Sequence, residues 1–131
     1  MIETIRQTVT QHMLDYSDLS QLVLKYDNRS NKNKTAITSD KIHCRLNIRS
    51  TTISNVSIYP LKTRYSGLIS LQLMTAKDAG TKRINEQIDK LINHFANKQL
   101  SNYLHTLEPQ LIHADNDDYY QVNLIINYRT N

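Results

Sequence analysis

The sequence predicts an α+β domain: one mostly antiparallel sheet with two helices packed on one face. Three observations carry this. First, the segment from Tyr119 to Arg129 alternates, with Val122, Leu124, Ile126 and Tyr128 in one phase and Gln121, Asn123 and Asn127 in the other. A period of two is what a half-buried antiparallel strand requires. Second, a strand from Leu68 to Met74 runs almost at once into a helical repeat, Ile84, Ile88, Leu91 and Phe95, at steps of four, three and four. Third, helical and extended segments follow one another through 131 residues without an internal repeat or a linker. A chain of that length is one domain, 1–131.

Residues 2–14 read as the first helix. Ile2, Ile5, Val9 and Met13 recur at helical spacing and Leu14 widens the stripe, while Glu3, Arg6, Gln7 and Gln11 face water. So short a helix is marginal alone and must pack on the sheet. Residues 20–26 hold Leu22, Val23 and Leu24, a short strand. Residues 27–35 are polar and without period, an exposed loop, and residues 28–36 are expected to be poorly ordered in the free subunit. Ile42, Cys44, Leu46 and Ile48 alternate with His43, Arg45 and Asn47, a strand with one wet face. From 52 to 59 the alternation weakens, with Ile53 and Val56 out of phase, which marks a bulge or a loop, and Pro60 limits pairing there. The next strand spans 65–74, where Gly67 signals a bend or a close backbone approach. Residues 78–81 form a turn into the second helix, whose outer face carries Lys82, Arg83, Glu86, Lys90 and Asn93; it ends near residues 96–98. Residues 102–108 and 111–113 read as two short segments broken at Pro109. Residues 115–118 form a tight turn into the closing strand. The total is two helices and five to six strands.

Composition excludes several classes. Two glycines and two prolines argue against a glycine-rich phosphate loop and against a barrel of tight glycine turns, and leave turn duty to asparagine. A chain of this size buries roughly two-thirds of its unfolded surface, so it needs neither disulfides nor a structural metal. Cys44 is the single cysteine and cannot form an internal disulfide. Neither a signal-peptide run nor a membrane span is present in the sequence, which predicts a protein made and folded in the cytosol. The net charge of +4 is mildly basic and unevenly placed: Lys25, Arg29, Lys32, Lys34, Lys41, Arg45 and Arg49 crowd one segment, and Asp115, Asp117 and Asp118 form an acidic cluster.

No chemistry stands out. The histidines are His12, His43, His94, His105 and His113. Zinc needs three or four converging ligands, and neighbours such as His43 and Cys44 point to opposite faces of a strand, so no metal or other cofactor is expected and Cys44 reads as core. His113 with Asp115, Asp117 and Asp118 resembles an acid-base or cation cluster, but a solvated turn explains it more simply, and no nucleophile lies in a recognisable motif. The protein is expected not to be an enzyme. The basic run from Lys25 to Arg49, with Tyr26 and Tyr59 available for stacking, leaves a small nucleic-acid-binding module as an alternative from another class. Eight tyrosines against one phenylalanine and no tryptophan suit protein interfaces, where an aromatic ring is buried at one end and wet at the other.

The element order resembles that of phage tail terminators, the small proteins that cap long non-contractile tail tubes. The resemblance rests on a short N-terminal helix, a wet-faced strand ending in Arg49, the strand Ser66-Gly67-Leu68-Ile69-Ser70-Leu71-Gln72-Leu73 running into Lys77-Asp78-Ala79-Gly80, the helix with Ile88-Asp89-Lys90-Leu91 and Phe95, and the closing strand. Residues 28–40 do not match the pattern. The resemblance implies a structural protein that assembles as a hexameric ring, ends tube growth and offers a face to the head. It also implies a tail tube protein and a head-tail connector as partners, with no membrane and no specific nucleic acid. Its place would be the bacterial host cytoplasm during assembly and then the virion tail. A head-tail joining (neck) protein is the alternative within the same class. A head-to-tail ring needs two unlike patches per subunit. The chain offers Asp115, Asp117 and Asp118 on one side and Arg29, Lys32, Lys34, Lys62 and Arg64 on the other. Exposed ion pairs are worth only ~0–1 kcal/mol each, so charge would set register while apolar and tyrosine surface supplies affinity. Replacing Asp115, Asp117 and Asp118 together by lysine is expected to weaken assembly and leave the monomer folded; native mass spectrometry showing an undiminished ring population would remove the acidic turn from the interface.

Overall fold

The computed structural model describes residues 1–26, 41–77, 80–114 and 119–130. It contains helix α1 (Ile2–Leu14), a 3-10 turn (Leu19–Gln21), strands β1 (Leu22–Tyr26), β2 (Ile42–Ser57) and β3 (Lys62–Ala76), helix α2 (Lys82–Phe95), and strands β4 (Leu104–His113) and β5 (Tyr119–Thr130). The five strands form one sheet in the order β1-β2-β3-β5-β4. Only the β1–β2 pair is parallel, so the fold is α+β with a mostly antiparallel sheet.

Register follows from the alternation. Cys44, Leu73 and Val122 lie in one row across β2, β3 and β5, with Leu46, Leu71 and Leu124 in the next and Ile48, Ile69 and Ile126 after that. A one-residue slip would turn every apolar side chain to the wrong face. These rows join Ile5, Val9 and Met13 of α1 and Ile84, Ile88, Leu91 and Phe95 of α2 in one core. Both helices therefore cover the same face of the sheet, and among the described residues the other face carries no helix.

Gly67 shows why the backbone can close here. It sits opposite Ser50 and Tyr128, and the Tyr128 ring lies across it. A Cβ at Gly67 would overlap the Arg49 carbonyl oxygen and come within 2.5 Å of Tyr128 Oη. The Tyr128 hydroxyl is 3.1 Å from Ser50 Oγ, tying three strands at the point where the sheet narrows. Asparagine takes turn duty at Asn97, the non-glycine residue with positive φ (54°) among those described. It lies just past the end of α2, whose Phe95 carbonyl accepts from the Thr106 hydroxyl, while Lys98 N–H donates to the same hydroxyl at 2.9 Å.

Several expectations need correction. Ile2 and Leu14 are exposed. Leu14 lies about 100° round the helix from Met13, off the buried line, and Ile2 is the first helical residue, with no preceding turn around it. His43, expected on a wet face, is buried; β2 is an interior strand, and Val23 of β1 and Met74 of β3 flank it in register. Residues 52–57 are strand, so of the two readings of the weak alternation the bulge holds and the loop does not. The lost phase comes from two register shifts, between Ser50 and Thr52 and between Asn55 and Ser57, each of which rotates the following side chains. Pro109 does not split β4. It follows a register shift between Thr106 and Pro109 on an edge strand, where a missing N–H is tolerated. The strand at 20–26 starts only at Leu22, the 3-10 turn occupying Leu19–Gln21.

Candidate assembly surface

The titratable groups on the helical side serve packing. His12 Nε2 donates to the His94 carbonyl and His94 Nε2 donates to the His12 carbonyl, each at 2.6 Å, with the rings stacked 3.9 Å apart. Each imidazole thus satisfies a carbonyl in the last turn of the other helix, a group with no partner inside its own helix. Beside them, Tyr16 donates to Gln87 Oε1 at 2.7 Å, and Asp18 is paired with Lys90. Burial pushes the Tyr16 hydroxyl up to about 12. The Lys90 ammonium lowers the Asp18 carboxyl. Cys44 is fully buried and its thiol is likewise pushed up to about 12 by desolvation, so it stays protonated and unreactive. Among the described residues no three His, Cys, Asp or Glu side chains group as a metal site.

His12 makes stability depend on pH. Burial holds His12 below its ordinary value of 6.5, and the hydrogen bond to His94 only partly offsets this. The unfolded chain therefore binds more protons just below 6.5. The stabilisation is complete above that value and falls as pH drops toward the lowered folded value. Thermal melts at about pH 8 and about pH 5.5 should show a lower midpoint in acid, and His12→Gln should flatten the difference. An acid loss of equal size in His12→Gln would assign it to other groups.

The surface that invites a partner is on the sheet. β1 accompanies β2 only as far as Leu46, and β5 accompanies β3 only from Ser66 onward. Beyond those points, among the described residues, β2 and β3 continue as a two-stranded arm, paired from Thr52 and Ser66 out to Ser57 and Lys62. Six residues of strand extend the arm by roughly 20 Å. Its tip is Ile58-Tyr59-Pro60-Leu61, with a cis Tyr59–Pro60 bond. Tyr59 is 93 % exposed, Ile58 77 % and Leu61 70 %, and Ile53 and Val56 are exposed along the shaft. A two-stranded ribbon is at best marginally stable alone in water, and free edges beside exposed apolar side chains invite further pairing. A second exposed apolar pair, Leu111 and Ile112, lies on the edge strand β4, toward the end of the sheet opposite the arm.

Of the residues expected at an interface, Lys62 and Arg64 are described. Both are in the arm portion of β3, two residues apart and so on the same face; Lys62 is exposed and Arg64 half-buried. Arg29, Lys32, Lys34, Asp115, Asp117 and Asp118 lie outside the described residues, as does the 28–36 loop. The apolar tip was missed by sequence reasoning. Its signal was present: four consecutive residues, Ile58 to Leu61, with three large apolar side chains and a proline, fitting neither period.

No family model matches the chain, and no curated protein matches it in sequence. Seven chains of solved structures match it in fold. One of them superposes with a TM-score of 0.60 at 12 % identity, covering 96 % of this chain and 95 % of that chain, and the name of that protein states no function. At that identity the likeness shows the fold alone, over nearly the full length of both chains.

Proposed function

We propose that this protein is a structural, non-enzymatic assembly protein that works as a ring, of the kind that caps a phage or prophage tail tube. The arm carries the reading. It places exposed apolar side chains away from the core, on a ribbon with no further strand beside it among the described residues. The β4 edge with Leu111 and Ile112 supplies an unlike apolar patch elsewhere on the same chain. An arm on one subunit meeting a different patch on the next is a heterologous contact, which closes into a ring when the rotation allows. Strand addition at such an edge combines backbone hydrogen bonds with side-chain burial. In the tail setting, the ring would stack on the tube, end its growth and present its other side to the connector. The double variant Ile58→Asp, Leu61→Asp tests this. Sedimentation analysis should find it monomeric under conditions where the wild type is oligomeric, with an unchanged melting point for the monomer, because these side chains are exposed. Assembly of the variant as complete as that of the wild type would remove the tip from the interface.

A further inference from the structure

We propose that the helix-free face of the sheet binds the phosphate backbone of a nucleic acid without reading its sequence. Charge is sorted by layer. The described strands contain six cations, Lys25, Arg45, Arg49, Lys62, Arg64 and Arg129, and the register puts all six on the face away from the helices. Their only carboxylate is Glu108, in the β4 bulge. The helices, by contrast, mix signs, with Glu3 and Arg6 on α1 and Arg83, Glu86, Asp89 and Lys90 on α2. A solvated surface is ordinarily mixed in this way.

Two of the cations are also placed against one another. Lys25 lies directly opposite Arg45. Like charges in such positions are destabilising, and an anion lying between them reverses the sign. Arg64, Arg129, His105 and Lys98 line one cleft of about 600 Å³. Arg64 Nε is buried there with no hydrogen-bond partner, a donor already stripped of water and lacking an acceptor. The cations span β1 to β5, three strand spacings or roughly 14 Å, and Arg45 to Arg49 adds roughly 13 Å along β2. That spread suits an extended polyanion rather than a single ion. The mixed-sign helical layer of a second copy does not offer one.

The test is fluorescence anisotropy of the full chain with a labelled DNA duplex of arbitrary sequence, titrated at several salt concentrations. Affinity should fall with salt on a log-log slope of about −3 to −5, near −0.9 per phosphate neutralised. Arg45→Gln, Arg49→Gln, Arg129→Gln combined should weaken binding at least tenfold at about 0.1 M salt and make the slope shallower by about 2–3. A control with the same charge loss on the helical layer, Arg6→Gln, Lys82→Gln, Arg83→Gln, should bind as the wild type does. Equal losses in the two variants would reduce the effect to net charge and overturn the proposal, as would binding without salt dependence or none at all. Polyglutamate competing as well as duplex at equal charge would assign the face to an acidic protein instead. Because the altered side chains lie away from the core, melting points serve as the check on folding, and Arg49→Gln alone gives a milder version of the same comparison.

Discussion

Phe95→Ala is expected to destabilise the protein by ~3–5 kcal/mol. Phe95 is fully buried and is among the largest such side chains in the molecule. It ends the apolar line of α2 and meets the His12 and His94 rings edge-on, with centroids 5.0 and 5.2 Å away. Truncation would remove its own burial, leave a cavity where the two helices meet and withdraw the surface on which the paired imidazoles rest. Denaturant unfolding of the variant should show a much lower midpoint, whereas Asn93→Ala on the exposed side should stay within about 0.5 kcal/mol of wild type. An unchanged midpoint for Phe95→Ala would take α2 out of the core.

Gly67→Val is expected to cost at least the ~1–3 kcal/mol typical of overpacking. The obstacle is backbone: the added Cβ would overlap the Arg49 carbonyl oxygen as well as the Tyr128 ring. Gly67→Ala carries the same Cβ and should already be destabilising. Tyr128→Phe should not rescue it, because the Arg49 oxygen and the ring carbon Cζ remain in the way. Rescue to wild-type stability in the double variant would show that only the tyrosine hydroxyl demands the glycine.

The core was legible because burial leaves a period in the sequence. Val122 to Tyr128 and Ile84 to Phe95 each declare one face, and both faces are buried where the pattern put them. Gly67 was legible because a glycine inside a strand has few reasons to be there other than close approach. The errors share a cause. Bulges change the phase of a strand without changing its composition, so 52–57 read as either bulge or loop and Pro109 read as a break. The buried His43 stands in register with Val23 and Met74, which are distant from it in sequence. Assembly surfaces leave the weakest trace. The arm is apolar where an isolated domain would be polar, so its residues look like misplaced core until the strand order shows that no other described strand lies beside them.

Native mass spectrometry of the wild-type chain across a range of concentrations tests the central claim most directly. Head-to-tail association through the arm predicts one closed stoichiometry greater than two, populated at the expense of monomer as concentration rises, with no open series of intermediate sizes. Monomer at every concentration, or a two-fold dimer as the end state, would contradict the ring.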